Sequence, residues 1–406
     1  MTAPPTPPSP PLSHRIVQLD ALRGLAVLGI AWMNVLIFAM PSQAYYNPLA
    51  WPVPGEAPSP LDSFAWATSF VFVEDKFRTL FAMLFGAGCA ILIERGGDHP
   101  WRAHYARMAV LFTIGLAHAT LLASNDILRA YAAAGMLLPF FTLLSANALI
   151  ASAVGLVALH VGAGFAMTGG GLWDWQAGRL GTDAVLFAEM NFGADPAAVQ
   201  AMLDQGRESF GERLARRLGG LGSQLWAIAG SVPLNLAGIV LGMALWRNGL
   251  LKGEWRLFRL QRLAALCALA AIPTLLGLAW WVAGSGFPGV LAGAAALVIS
   301  APFDTLLGVA YAALAMALFA PDGSLTRRLA AVGRMSLSNY ILTSVVLSAL
   351  YASWGLGLFG TVTRSEALAS TLIPAGLILL WSPLWLAHFR QGPLEWLWRR
   401  SAGLLA

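Results

Sequence analysis

Asp20-Ala-Leu-Arg-Gly-Leu-Ala-Val-Leu-Gly-Ile-Ala-Trp-Met-Asn-Val-Leu-Ile-Phe-Ala-Met40 holds one aspartate, one arginine and one asparagine, and otherwise only apolar residues and glycine. As a helix it would measure about 30 Å, the thickness of a bilayer's hydrocarbon core. Its apolar residues do not alternate with polar ones. A backbone facing lipid must satisfy its own hydrogen bonds, so an unalternating run of this length selects a spanning helix over a β-barrel strand. No good small-residue cleavage site follows, which reads as a first membrane span and not a cleaved signal peptide.

The rest of the chain repeats this pattern. With 58% hydrophobic and 11% charged residues and a mean hydropathy of +0.67, its solvent must be lipid. Further apolar runs cover 64–94, 104–123, 126–146, 148–168, 224–247, 259–284, 288–320, 337–354 and 367–389. The expected fold is therefore an all-α, polytopic membrane bundle of about ten transmembrane helices. The runs 64–94 and 288–320 are too long for one simple crossing, and each is expected to begin with an interfacial or re-entrant piece, with Pro302 breaking the second. Trp residues near the ends of runs, among them Trp51, Trp101 and Trp255, suit interfacial anchors.

Orientation follows from counting Lys and Arg. With both termini cytoplasmic, sixteen of the twenty-five fall on inner loops and six on outer ones, while Lys76, Arg78 and Arg129 lie at or within the membrane boundary. The net charge of +5 is thus topogenic and calls for no nucleic-acid partner. Cys89 and Cys267 sit in apolar runs as packing residues, not as a disulfide framework. Residues 1–14 read as a disordered proline-rich tail and 15–400 as one transmembrane domain. An outer extramembrane segment spans about 169–223. Within it, Gly169 to Gly171 read as linker, and Pro196 to Leu218 as a solvated or interfacial helix with exposed ion pairs, a lid over an outer cavity being the alternative.

Charges inside a bilayer are costly unless paired or wet, so they point to a site. Asp20, Arg23 and Asn34 fall within about 60° of one another on the first helix. His104, Arg107 and His118 repeat those offsets on the third. The inner members of each stripe serve equally as caps or topogenic charges. Asn34 and His118 lie roughly 15–20 Å further along and need another account. Glu74, Asp75, Lys76 and Arg78 form a charged knot in the second run, and Asn125, Asp126 and Arg129 open the fourth. By alternating direction, Asn34, Asp75, Arg78, His118, Asp126 and Arg129 should meet near the outer face in a polar cavity.

The run Gln18-Leu-Asp-Ala-Leu-Arg-Gly24 with Asn34, the run Lys76-Phe-Arg-Thr-Leu-Phe-Ala-Met-Leu-Phe-Gly-Ala-Gly88, and His118 followed by Asn125-Asp-Ile-Leu-Arg-Ala-Tyr-Ala132 carry a resemblance. So do Gly333-Arg-Met-Ser-Leu-Ser-Asn-Tyr340 and Gly392-Pro-Leu-Glu-Trp-Leu-Trp-Arg399. Together they resemble the YeiB family of bacterial membrane proteins, in order and across nearly the whole chain. The N-terminal part is similar to the transmembrane acyltransferase superfamily that includes heparan-α-glucosaminide N-acetyltransferase, where Leu-Asp-x-x-Arg-Gly and a later asparagine match Asp20, Arg23 and Asn34. That resemblance implies a multi-pass protein of the inner membrane, acyl-CoA entering from the cytoplasm, and an acceptor on the far side. The heparan-acetylating branch has a histidine in the outer loop after the first helix; here that loop, Pro41 to Ser63, has Tyr45, Tyr46 and Asn47 instead.

The expected function is acyl transfer from acyl-CoA to a hydroxyl or amine of a small-molecule, glycan or lipid acceptor. His118 is the histidine at the right depth to take a proton, with Asp126 or Asp75 orienting it and Asn34 or Arg78 donating to the oxyanion. His14, His99, His104 and His388 belong near the inner face, and His160 reads as a satisfied core residue. With no Ser or Cys nucleophile signature, direct transfer is expected. Asp20, Arg23, Arg107, Arg334 and Asn339 are the expected acyl-CoA contacts. The alternatives are a transporter or flippase, in which the same charges line a path, and a structural role in which they join helices. No metal-ligand spacing occurs, and association with further copies is left open.

Overall fold

The computed structural model describes residues 16–94 and 100–405. The proline-rich tail with His14, Arg15, and residues 95–99 with Arg95 and His99 lie outside the described residues. Among the described residues the chain is helical with no strand. The helices are α1 (Val17–Ala39), α2 (Gln43–Tyr46), α3 (Pro60–Phe72), α4 (Lys76–Glu94), α5 (Pro100–Leu121), α6 (Ile127–Met136), α7 (Ala146–Gln176), α8 (Asp183–Phe192), α9 (Pro196–Gly206) and α10 (Phe210–Gly219). They continue as α11 (Leu221–Arg247), α12 (Leu257–Gly284), α13 (Gly289–Ala294), α14 (Ala301–Leu318), α15 (Ser324–Arg334), α16 (Ser336–Tyr351), α17 (Arg364–Ser370), α18 (Leu372–His388) and α19 (Pro393–Leu405).

Among the described residues seven stretches are long and apolar enough to cross a bilayer: Val17–Ala39, Pro60–Glu94, Ala146–Gln176, Leu221–Arg247, Leu257–Gly284, Ala301–Leu318 and Arg364–His388. The chain is a multi-pass membrane protein. Three of the ten expected crossings fall short of that standard. The 104–123 run is α5, 22 residues long but carrying Arg102, His104, Arg107 and His118. The 126–146 run is a 10-residue α6 followed by a 3₁₀ turn, and the 337–354 run is a 16-residue α16.

Both overlong runs are broken. In the first, α3 starts on the Ser59 cap with Pro60 in its first turn and stops where the N–H groups of Val73 and Glu74 both turn back to the Ser69 carbonyl, at 2.9 and 2.8 Å. Asp75 then adopts φ +57, a left-handed conformation uncommon for a residue with a side chain, and α4 begins at Lys76. In the second, α13 passes through a π-helical turn, Ala295–Ile299, into α14, whose first turn contains Pro302.

Close backbone approach joins the spans. Where α1 crosses α15, a Cβ on Gly24 would strike the backbone of Leu329, and one on Gly333 that of Asp20. Where α4 crosses α11, Gly86 faces the Ile239 backbone and Gly242 that of Met83. Within lipid there is little hydrophobic drive between helices, so such contacts supply dispersion that larger residues would block.

Gly169 to Gly171 are not a linker, since α7 runs unbroken through them to Gln176. Their apolar flanks and the packing of Gly171 against Ala184 and Val290 outweigh a glycine's helix penalty of about 1 kcal/mol. The 196–218 stretch forms two helices, α9 and α10, separated at Arg207–Ser209, with a Ser209–Glu212 capping box starting the second.

Candidate functional site

A cavity of about 470 Å³ lies between α1, α2, the α3–α4 break, the start of α6, α7, α11 and the π turn. Gly29, Met33 and Asn34 form its α1 wall; Glu74, Asp75 and Arg78 line it from the break, and Asn125, Asp126 and Arg129 from the start of α6. Asn34, Asp75, Arg78, Asp126 and Arg129 therefore meet around one space.

The charged groups are held by one another. Arg78 Nε donates to Asp75 Oδ1 at 2.7 Å and Nη1 to Asn235 Oδ1 at 2.7 Å, while the Asn235 amide donates to the Ser231 carbonyl at 3.0 Å. The Arg129 guanidinium reaches Gln224 Oε1 at 2.7 Å and the Ser124 carbonyl at 2.9 Å. Tyr45 and Tyr46, on the short α2, close the cavity from the side. Burial, then the neighbouring Glu74 and Asp75 carboxylates, holds both phenols well above their ordinary range, so they face the cavity as neutral hydroxyls.

His118 lies behind the wall, against Asp126. Its Nδ1 is 2.8 Å from Asp126 Oδ1 and its Nε2 is 2.9 Å from Ser344 Oγ. The carboxylate accepts, so Nδ1 carries a proton, while Nε2 pairs with the Ser344 hydroxyl, which also reaches the Tyr340 carbonyl at 3.3 Å. The other Asp126 oxygen accepts the Arg129 N–H at 2.9 Å as the α6 N-cap. The His118 and Asp126 side chains are 1% and 0% exposed, and neither His118 nor Ser344 lines the cavity. His118, expected to take the acceptor's proton, thus has both ring nitrogens occupied and no open face. It ties α5, α6 and α16 together. Ser344 escaped the sequence reading because it lies 226 residues from its partner.

His160 departs from expectation in the opposite sense. It is hydrogen-bonded to the Leu297 carbonyl at 2.9 Å, yet it lines the cavity instead of a core. Asp304 was missed as well. Its Oδ1 lies 2.6 Å from Lys76 Nζ, and Ser300 Oγ donates to its Oδ2 at 2.7 Å. The signal available was a lone aspartate in an apolar run with serine four residues before it.

The α10 helix is latched over this end. Arg217 donates to the Thr120 and Leu122 carbonyls at 3.2 Å each, at the end of α5, and its own carbonyl accepts from Gln224. Burial and the neighbouring Arg213 and Arg216 push the Arg217 guanidinium down to about 10.

At the opposite end, Asp20 and Arg23 form an ion pair at 3.0 Å, beside the α1–α15 crossing that brings Arg334 near. Arg334 donates to the Arg390 carbonyl at 3.2 Å. Arg107 stands apart on α5, where its carbonyl accepts from Trp398 at 2.8 Å. Asn339, expected to contact a cofactor, is 0% exposed. Its amide is spent on the Val332 carbonyl, the Ser382 hydroxyl and the Trp381 indole, so it holds α16 to α18 and offers nothing to a ligand.

The description "Protein of unknown function (DUF418)" matches residues 245–404, a region that contains Leu297 but none of the other cavity-lining residues. "Uncharacterized protein YeiB" of Escherichia coli (strain K12) is 34% identical over 96% of this chain and 98% of its own. "Uncharacterized protein YxaH" of Bacillus subtilis (strain 168) is 28% identical over 97% and 95%. A 39.9 kDa protein from the amylase 3' region of Bacillus acidopullulyticus is 26% identical over 96% and 94%. No solved structure matches. Matched along nearly its whole length at 34% identity, the chain belongs to the YeiB-like family.

Proposed function

We propose that this chain transfers an acyl group from acyl-CoA to a hydroxyl or amine acceptor, at the cavity beside Asn34, in the cytoplasmic membrane of a bacterium. The observation that supports it most is the grouping of Asn34, Asp75 and Arg78 around one cavity. Acyl transfer from a thioester passes through a tetrahedral oxyanion, which fixed donors stabilise best where water is scarce. Arg78 is such a donor, held in place by Asp75 and Asn235. Asn34 supplies a neutral amide from the facing wall. The same helix, α1, carries the Asp20–Arg23 pair at its other end, where a CoA phosphate would meet a cation. The resemblance of Asp20, Arg23 and Asn34 to the acyltransferase pattern supports the same assignment.

Transport is the second reading, and the α3–α4 break favours it. Charged residues at a helix interruption are how transporters build substrate sites within the membrane. One assay separates the two. Purified protein in lipid nanodiscs receives acetyl-CoA with a radiolabelled acetyl group, together with an alkyl glycoside and an alkyl amine. Acyl transfer predicts label in one acceptor with release of free CoA, reduced about 10²–10³-fold by Asn34→Ala. No release of CoA from acetyl-CoA or longer acyl-CoAs moves the assignment to transport.

A further inference from the structure

His160 stands near the middle of α7, the least buried of the seven spans. The Leu297 carbonyl can only accept, so His160 Nε2 carries the proton. In the neutral ring Nδ1 is then the nitrogen with the lone pair. The carbonyl is available for a local reason. In the π turn the Ser300 N–H reaches back five residues to the Ala295 carbonyl at 3.0 Å. The same step from Leu297 leads to Pro302, which has no N–H. His160 occupies that vacant position, which fixes its tautomer and keeps a basic nitrogen at the cavity.

The cavity opens at this edge as well as at the α5–α6 turn, where the lining residues Ser124 and Asn125 are exposed. Leu297 is 39% exposed, Ala227 and Gly230 are exposed, and all three line the cavity with His160. Ala227 and Gly230 lie about 9 and 14 Å along α11 from its start at Leu221, well inside a membrane span. Exposed residues at that depth face lipid, so the mouth between α7 and α11 opens sideways into the bilayer.

We infer that, in the acyl transfer proposed above and resting on it, His160 takes the acceptor's proton and the acceptor is membrane-borne. It is an amphiphile whose hydroxyl- or amine-bearing head enters between α7 and α11 while its tail stays in lipid. The acceptor oxygen or nitrogen attacks the thioester carbonyl carbon as its proton passes to His160 Nδ1. The C–S bond then breaks, the departing sulfur takes up that proton as free CoA, and the new ester or amide leaves on the amphiphile.

The test uses the full chain in nanodiscs. Diethyl pyrocarbonate, with peptide mass spectrometry, is expected to modify His160 much faster than the sealed His118. Dodecyl maltoside below its micelle-forming concentration should slow that reaction, and maltose at the same concentration should not. An unreactive His160, or equal protection by maltose, overturns the lateral mouth. With labelled acetyl-CoA, dodecyl maltoside should take up label and maltose should not. His160→Gln keeps a donor for the Leu297 carbonyl but has no basic nitrogen. It should lower kcat about 10²-fold or more with little change in KM, and abolish the acidic limb of the pH–rate profile. If His160→Gln transfers like wild type, the base role falls while acyl transfer stands. If wild type releases no CoA with any acceptor, acyl transfer and the base role fall together, and the modification assay alone decides the mouth.

Discussion

The Lys76 ammonium lies 2.6 Å from Asp304 Oδ1, with the two side chains only 1% and 3% exposed. Lys76 is the first residue after the α3–α4 break, so this contact pins the segment bearing Glu74 and Asp75 against α14. Removing one partner of a buried pair leaves an uncompensated charge and costs about 3–5 kcal/mol, whereas an apolar pair of similar volume is close to neutral. Asp304→Ala should therefore lower the Tm in detergent sharply, and Lys76→Met with Asp304→Leu should recover most of the loss. An Asp304→Ala protein as stable as wild type would show that the pair holds nothing.

Glu395, in the C-terminal helix, accepts the N–H groups of Leu337 and Ser338 at 2.8 and 3.1 Å and the Ser338 hydroxyl at 2.5 Å. A carboxylate from α19 thereby caps α16, the helix that carries Ser344, and complements its dipole. Glu395→Ala strands buried donors and should cost about 2–3 kcal/mol. Glu395→Gln keeps an acceptor and should cost less. Equal unfolding of the two variants would argue against a cap.

Glu189 in α8 accepts the Gly289 N–H at 2.6 Å. Burial, the largest influence, raises its carboxyl above the usual range; the Gly289 bond opposes this and Asp195 adds to it. A raised carboxyl binds its proton more tightly in the folded state. Its contribution to stability is therefore fully present below the unfolded carboxylate pKa and lost as pH rises through the folded one. Glu189→Gln should unfold at a higher temperature than wild type at neutral pH, and the gap should narrow in acid. A gap that widens in acid would contradict this.

The two histidines should separate by stability. His118→Ala leaves the buried Asp126 carboxylate and Ser344 hydroxyl without their partner, a loss of about 1–3 kcal/mol. His160→Gln retains the carbonyl contact and should stay within about 0.5 kcal/mol of wild type. Thermal melts of both variants check the pair, and a destabilised His160→Gln beside an unaffected His118→Ala would reverse the assignment.

Much of the architecture could be read from local chemistry. The runs 64–94 and 288–320 exceeded one bilayer crossing, and both are interrupted, the first at its charged knot and the second just before Pro302. The polar residues of the first four apolar runs announced a cavity because a charge in lipid needs a reason. Its long-range partners carried no such mark. Ser344 reads as one more small residue in an apolar helix until α16 is laid against α5. His160 reads as a core residue until the π turn and Pro302 free the Leu297 carbonyl. Asn339 was misjudged the other way: a polar residue beside Arg334 suggested a phosphate contact, and its amide instead joins helices. The length of short segments such as α6 was not legible, since apolarity alone does not show where a helix gives way to a 3₁₀ turn.

Titration of the purified protein in detergent with acetyl-CoA and longer acyl-CoAs tests the central claim most directly, comparing wild type, Arg23→Ala and His118→Ala. Acyl transfer predicts saturable binding by wild type, loss of binding in Arg23→Ala, and binding retained in His118→Ala, because in the proposed reading the CoA phosphates would meet the Asp20–Arg23 end, away from the cavity. No binding of any acyl-CoA by wild type would contradict it.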